Sequence, residues 1–360
     1  MEKDLMDSYS HLEIYSQKEI SNHTRIRRHE NKIGERVQVL HQLKNDSLLE
    51  ALEKSSAKFV VIGLPEDIGV RANGGRGGAY SAWIPALSNL LNTQSNQFLS
   101  GEEILILGHI NFDDLMLRAD SINFKTETGL QEARKLVGVI DERVYPVVKA
   151  IIQAGKEAII IGGGHNNSYP SIKAAAKGLY EAAKIKRVAI NSINCDAHTD
   201  FRPSEGRHSG NGFRYAFNEK FLDKYAIVGL HESYNAEKVL DELNNKSFFH
   251  YSTFEDIFIT EDITFKNAVS TGIDFVKENY CGIELDMDTI QNIPSSAKTS
   301  SGINTIQARQ YVTWCAQKLN CCYLHIAEAA PVLSHIKTDN KTGKLIAYLI
   351  TDYIKARKAI

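Results

Sequence analysis

The 360-residue sequence has few cysteines, little proline, almost no net charge and no long apolar run. Its five cysteines are odd in number and form no Cys-x-x-Cys pair, which argues against a disulfide framework or a zinc ribbon. A formal net charge of -2 gives no electrostatic basis for binding nucleic acid or an anionic membrane. The sequence shows neither a membrane-spanning stretch nor a basic and then apolar leader. We therefore expect a cytoplasmic protein that acts on a small molecule.

From residue 58 onward, short β-branched runs alternate with amphipathic stretches. This pattern predicts an α/β fold of three layers, α-β-α, around a wide and mainly parallel sheet of about eight strands. We expect residues 1–55, which are polar and charged, to form a helical extension packed on a catalytic domain of residues 56–360. The predicted strands are 58–64, 103–110, 157–163, 187–194, 224–230, 247–252, 280–288 and 321–329.

The segment NCDAHTD follows one predicted strand and places Asp196, His198 and Asp200 at alternate positions. In an extended strand, alternate side chains point to one face, so these three groups are expected to converge. Burying them together is costly unless a cation lies between them.

Three further segments carry polar groups at the ends of predicted strands. His165 follows IIIGGG, Asp286 and Asp288 follow GIEL, and LHIAEAAP supplies Glu328 and a second candidate, His325. In parallel sheets, ligands collect at the carboxyl ends of the strands. The first three of the four segments together offer two imidazoles and four carboxylates, which suit two Mn²⁺ ions, with Zn²⁺, Fe²⁺, Co²⁺ or Ni²⁺ as alternatives.

Each segment alone also has a structural interpretation. An Asp-x-Asp pair is commonly a solvated turn or strand edge, and a histidine after glycines is commonly a loop or cap residue. Four such segments at one edge of one sheet favour a metal site.

The motifs GGGH, DAHTD and ELDMD, in this order and each after a strand, resemble the ureohydrolase superfamily of arginases, agmatinases, guanidino-acid hydrolases and formimidoylglutamases. The resemblance runs from about residue 58 to the C-terminus. It implies an arginase-like fold and hydrolysis of a non-peptide C–N bond by a hydroxide that bridges two metal ions. It assigns His165, Asp196, Asp200 and Asp286 to one ion, and Asp196, His198, Asp286 and Asp288 to the other.

The resemblance also implies catalytic roles. Glu328 matches a carboxylate that binds the cationic head of the substrate. Asp200 is predicted to be a second catalytic residue. His208 lies where family members often place a proton-shuttling or substrate-binding residue; its structural alternative is a solvated loop residue. The family's habit of forming trimers or hexamers suggests a homo-oligomer.

The stretch GLPEDIGVRANGGRGGA resembles the formimidoylglutamase version of the first strand-end loop. The substrate that it suggests is N-formimidoyl-L-glutamate, whose hydrolysis gives L-glutamate and formamide in histidine degradation. Arg71, Arg76 and Arg202 are predicted to bind its two carboxylates, because guanidinium groups match carboxylates bidentately. The alternative is that these arginines brace loops through backbone carbonyls. Asn73 and Asn211 complete the predicted substrate contacts.

The sequence departs from the family pattern at five positions. Gly164 and Asn166 stand where an aspartate and a serine are usual, and Glu284, Gln291 and Asn292 replace a serine, an aspartate and a proline. Gly164 and Gln291 remove two carboxylates that surround the ligands in the family pattern. Their loss is expected to change the affinity or preference for the metal, although every predicted ligand is retained. Three alternatives therefore stay open: an arginase or another guanidino-acid hydrolase, a metal-binding protein without catalysis, and a deacetylase-like hydrolase with one zinc ion.

Overall fold

The computed structural model describes residues 9–40, 47–334 and 340–359. All eight predicted strands form, and they lie in one sheet with a ninth strand from the N-terminal segment. The strands are β1 (Leu12–Ile14), β2 (Phe59–Gly63), β3 (Ile104–Ile110), β4 (Glu157–Ile161), β5 (Ile190–Cys195), β6 (Leu222–Leu230), β7 (Phe249–Thr253), β8 (Cys281–Asp286) and β9 (Cys321–Ala327).

Helices cover both faces of this sheet, so the predicted three-layer architecture is confirmed. Two large apolar clusters, one on each face, pack helices against strands that are buried on both sides. None of the described helices is long and apolar enough to cross a membrane. The α-helices are α1 (Gln17–His23), α2 (Leu48–Lys54), α3 (Ile68–Ala72), α4 (Trp83–Leu91), α5 (Asp113–Asp120), α6 (Glu127–Gln153), α7 (Ser168–Glu181), α8 (Gly212–Asn218), α9 (Glu237–Asn244), α10 (Phe254–Phe258), α11 (Phe265–Val276), α12 (Thr305–Lys318) and α13 (Lys341–Lys358).

The strand order β1-β3-β2-β4-β9-β8-β5-β6-β7 decides where the polar segments meet. All neighbouring strands are parallel except β1 and β3. After β5 the chain builds β6 and β7 at one edge and then returns to place β8 and β9 between β4 and β5. The four strands that carry the predicted site residues are therefore consecutive neighbours. Their carboxyl ends form one crevice, at the position where ligands bind in open parallel sheets.

The N-terminal segment is part of this sheet rather than a purely helical extension. Strand β1 pairs antiparallel with the second half of β3, and Gln38 forms a parallel bridge with Leu105 in its first half. In the second part of the predicted helical extension, residues 36–55, the described part is α-helical only at Leu48–Lys54, and residues 41–46 lie outside the described residues. The conformation of this segment depends on its pairing with β3, a strand that is distant in the sequence. A local sequence pattern cannot predict such pairing. The domain boundary at residue 55 stays a prediction.

Candidate metal centre

A tight turn after β4 brings His165 under the ends of the neighbouring strands. Gly162 and Gly163 both have positive φ angles, 88° and 72°. A side chain at Gly163 would meet the Asn167 amide at 2.3 Å, so the turn needs glycine at this position. The His165 side chain that follows is completely buried.

Three aspartates surround one nitrogen of His165. Its Nδ1 lies 2.9 Å from Asp200 Oδ2, 3.1 Å from Asp286 Oδ2 and 3.3 Å from Asp196 Oδ2. One donor atom from each of these four residues lies within 4.8 Å of the others. The structure therefore brings together the four residues that the family resemblance assigns to one metal ion.

A second group lies beside the first and shares Asp196 with it. His198 Nδ1 is 3.5 Å from Asp196 Oδ1 and 3.5 Å from Asp288 Oδ2. These three residues form a second cluster of donors, in which Asp286 is not included. The other oxygen of Asp286 accepts a hydrogen bond from the backbone N–H of Asp288 at 2.8 Å. Three of the four ligands predicted for the second ion are thus grouped.

Charge repulsion is visible in the carboxylates of this centre. Burial, together with the neighbouring charges of Asp288 and Asp196, raises the pKa of Asp286 well above its usual value. Burial and Asp196 likewise raise the pKa of Asp200 to about 6. For Asp196, burial acts in the same direction, but His165 and His198 outweigh it and lower its pKa. The centre therefore holds more negative charge than its own residues neutralise.

Protons on the two histidines compensate part of this charge. Burial lowers the pKa of His165 and His198, but the surrounding carboxylates outweigh burial and raise the pKa of both rings well above the usual value. Two buried oxygens, Asp288 Oδ1 and Glu328 Oε2, accept no hydrogen bond from the described residues. Mixed carboxylate and imidazole donors with open lone pairs fit a pair of divalent cations, which would replace the protons.

Two acidic residues at the centre have strained backbones. Asp200 has a φ of 44° and Glu328 a φ of 64°, in the left-handed region that side chains other than glycine rarely adopt. Glu328 Oε1 accepts a hydrogen bond from the His165 backbone N–H at 2.9 Å, which fixes its carboxylate over the turn. Burial and the charges of Asp288 and Asp200 raise the pKa of Glu328 to about 8. Strain of this kind concentrates at functional sites.

A cleft of about 510 Å³ opens above the two groups. Four carboxylates of the centre line it, and its only arginine or lysine among the described residues is Arg202. Arg202 Nη1 donates to Asn73 Oδ1 at 2.7 Å, and its Nη2 lies 3.3 Å from Glu205 Oε1. The predicted substrate contacts Asn73 and Arg202 are thus adjacent on the wall of the cleft.

Three other predicted substrate contacts do not line this cleft. Arg71 donates to Asp120 and to the Ala119 carbonyl, and Arg76 is exposed. The Asn211 amide is engaged by Arg207 and by loop carbonyls. Their substrate contacts stay predictions.

His208 is also buried away from the cleft. Its Nδ1 accepts from the Gly210 N–H at 3.2 Å, and its Nε2 lies 3.2 Å from Glu205 Oε1. Burial and the charges of three arginines lower its pKa to about 3, so the ring is neutral. Its contacts connect it to Arg202 through Glu205, and its predicted role in proton transfer stays a prediction.

The departures from the family pattern have structural counterparts. A side chain at Gly164 would meet Asn166 Oδ1 at 2.5 Å, and the buried carboxylate of this loop comes instead from Glu66. Glu66 Oε1 accepts from the Gly164 N–H at 3.1 Å and from the Asn166 amide at 3.1 Å. Asn292 has a φ of 63°, which proline cannot adopt.

Sequence reasoning missed several residues around the centre. Tyr234 and Asn235 line the cleft just beyond the end of β6, and the Tyr234 ring stacks on His198 with centroids 5.5 Å apart. The strand-end rule applied to the segment HESYN would have found them. Glu284 was noted only as a replacement for serine. It is completely buried behind His165, with His325, the uncertain candidate of the fourth segment, at 2.7 Å.

Cys195, beside Asp196, points into the apolar core rather than toward the centre. Burial raises the pKa of its thiol, so it is not available as a nucleophile.

Comparison with known proteins agrees with this geometry. The sequence matches the Arginase family over residues 57–355. A formimidoylglutamase of Streptococcus pyogenes is 25% identical over 315 residues, which cover 85% of this chain and 86% of the relative. The formimidoylglutamase of Bacillus subtilis superimposes with a TM-score of 0.68 at 18% identity, over 93% of this chain and 95% of the other. A formiminoglutamase of Trypanosoma cruzi, determined with Mn²⁺, gives a TM-score of 0.63 at 19% identity, over 86% and 97%.

The fold and the two donor groups therefore define a metal-dependent hydrolase of the type that acts on C–N bonds in linear amidines and guanidines. The chain belongs to the arginase family, whose enzymes use two metal ions.

Replacing His198 with alanine should remove one metal ion and leave the other. His198 supplies the only imidazole of the second group, whereas the first group keeps all four of its donors. We expect the bound Mn²⁺ to fall from about two to about one ion per chain, measured by elemental analysis after dialysis. His250→Ala, on an edge strand outside both groups, is the matched control. Full retention of both ions in His198→Ala would contradict the ligand assignment.

Affinity for Mn²⁺ should fall as the pH is lowered from about 8 to about 6. Cations must displace protons from His165 and His198, whose pKa values are raised, and Asp200 becomes protonated as the pH approaches its value of about 6. Each displaced proton weakens binding by about tenfold per pH unit. Titration of the metal-free protein, followed by electron paramagnetic resonance of free Mn²⁺, measures this. A pH-independent dissociation constant would show that the protons lie elsewhere.

Proposed function

We propose that this chain is a formimidoylglutamase, which uses two Mn²⁺ ions to hydrolyse N-formimidoyl-L-glutamate to L-glutamate and formamide. The observation that carries the proposal is that Arg202 lines the same cleft as residues of the two donor groups. An amidine held over the carboxylates would leave a carboxylate of its glutamate part facing this guanidinium. The relatives named formimidoylglutamase, which align over most of the chain, support this choice of substrate.

Paired divalent cations supply Lewis acidity and lower the pKa of a water molecule to near neutrality. The remaining chemistry belongs to the chain. Glu328 Oε2, which has no hydrogen bond from the described residues, accepts from the cationic amidine and orients its carbon. Water oxygen bonds to that carbon, and the bond from the carbon to the glutamate nitrogen breaks. Asp200, in the centre and on the cleft wall, takes the proton from water and returns it to the departing amine.

A second candidate is an arginase or another guanidino-acid hydrolase. Arg202 is the one arginine that lines the cleft among the described residues, whereas Arg71 pairs with Asp120 outside it. One guanidinium matches one carboxylate, so a substrate with a single carboxylate also satisfies the cleft.

Direct assay separates these candidates. Purified protein with Mn²⁺ is incubated with N-formimidoyl-L-glutamate, arginine, agmatine or another guanidino acid, and formamide, glutamate and urea are quantified. We expect formamide and glutamate in equal amounts from the first compound, and none from the His198→Ala variant. Urea from arginine with intact formimidoylglutamate would establish the second candidate instead. Two bound metal ions without turnover of any compound would favour a metal-binding protein without catalysis.

Arg202→Met should raise KM and leave kcat nearly unchanged. Its guanidinium is proposed to bind a carboxylate remote from the reacting carbon, so its loss weakens the ground state and the transition state equally. A charged hydrogen bond of this kind contributes about 1.5 to 3 kcal/mol, which corresponds to about a tenfold to hundredfold rise in KM. Arg187→Met is the control, because Arg187 is exposed and precedes β5 at the opposite end of the sheet. A fall in kcat alone would assign Arg202 to the chemical step.

A further inference from the structure

A buried carboxylate lies behind the metal centre on β8, the strand that ends with the candidate ligand Asp286. Glu284 precedes Asp286 by two residues on β8, so both side chains leave the strand on the same face. Glu284 is completely buried. Its Oε1 accepts from the Tyr323 hydroxyl at 2.6 Å, and its Oε2 lies 2.7 Å from His325 Nδ1. These two partners, both on β9, hold the carboxylate in one orientation.

The same carboxylate faces the far side of the His165 ring. Nδ1 of His165 points to the three aspartates, whereas its Nε2 lies 3.4 Å from Glu284 Oε2. Nε2 is buried and makes no hydrogen bond within the described residues. The His165 ring therefore lies between the three aspartates on its Nδ1 side and the Glu284 carboxylate on its Nε2 side.

An imidazole that binds a cation through Nδ1 must carry its remaining proton on Nε2. A buried N–H without an acceptor costs about 1 to 3 kcal/mol. Glu284 removes this cost once the 3.4 Å separation shortens by a few tenths of an ångström, and hydrogen bonds around a site commonly tighten when it is loaded.

We propose that Glu284 is a positioning residue of the metal centre, which accepts a hydrogen bond from Nε2 of His165 and strengthens Nδ1 of that ring as a ligand of the first metal ion. A carboxylate behind a ligating histidine fixes the tautomer and the orientation of the ring and makes the ring more basic. The inference rests on the two-metal centre of the proposed function but not on its substrate.

The selectivity of the effect tests this inference. Glu284→Gln keeps the size of the side chain and removes its charge. We expect one of the two Mn²⁺ dissociation constants to rise by about tenfold to hundredfold, with the other unchanged, as measured by calorimetric titration. The control is Glu157→Gln, which removes a buried carboxylate that Tyr353 and Arg357 hold on β4. That variant is expected to lose stability and to keep both Mn²⁺ affinities.

A measurement on the unaltered protein covers the case in which Glu284→Gln does not fold. In protein loaded with diamagnetic Zn²⁺ and labelled with ¹⁵N-histidine, the ring that contacts Phe213 identifies His165, because their centroids are 5.3 Å apart. We expect a slowly exchanging and strongly downfield Nε2–H proton on this ring.

Several outcomes are decisive. Equal affinities in Glu284→Gln and the unaltered protein, an Nε2 without a proton, or an equal loss of affinity in Glu157→Gln would each overturn the positioning role. Protein that binds metal but turns over no substrate would contradict the proposed function. The Mn²⁺ affinities of Glu284→Gln would then still test the positioning role. Protein that binds no metal at all would overturn both.

Discussion

The structure depends on the convergence of like charges at one edge of a parallel sheet. Asp196, Asp200 and Asp286 lie within a few ångströms of one another, Asp288 lies equally close to Asp196, and all four side chains are largely removed from water. The carboxylates raise the pKa of His165 and His198 well above the usual value, so protons on these two rings offset part of the repulsion. Such an arrangement is costly for folding unless cations neutralise it.

The order of the strands in the sheet brings these acidic residues together in one site. Because β9 and β8 insert between β4 and β5, residues up to 163 positions apart in the chain, such as His165 and Glu328, come into hydrogen-bond contact. The glycine turn after β4 and the left-handed backbones of Asp200 and Glu328 then direct the side chains inward. The apolar layers on both faces supply the rigidity that keeps these strained residues in place.

Much of this was predictable from sequence, for physical reasons. The eight longer strands are rich in β-branched and apolar residues, a pattern that burial on both faces requires, and the predicted metal ligands occur at their carboxyl ends, several at a spacing of two. Strand β1 is three residues long within a polar segment, so only its pairing with β3 defines it. The sequence could not show which of Arg71, Arg76 and Arg202 lines the cleft. That depends on partners nearby in the fold, such as Asp120 for Arg71. Glu284 shares the spacing of Asp286 and Asp288, so the signal for it was present, but its role depends on Tyr323 and His325 across the strand pair.

The N-terminal segment pairs with β3 at two places, and this pairing affects the edge of the whole sheet. Gln38 satisfies backbone groups in the first half of that strand, and Leu12–Ile14 does so in the second half. Edge strands with free amide and carbonyl groups recruit strands from other molecules. A chain shortened to the catalytic region would bare a seven-residue apolar strand, Ile104–Ile110, so the N-terminal segment protects the protein against self-association through that edge.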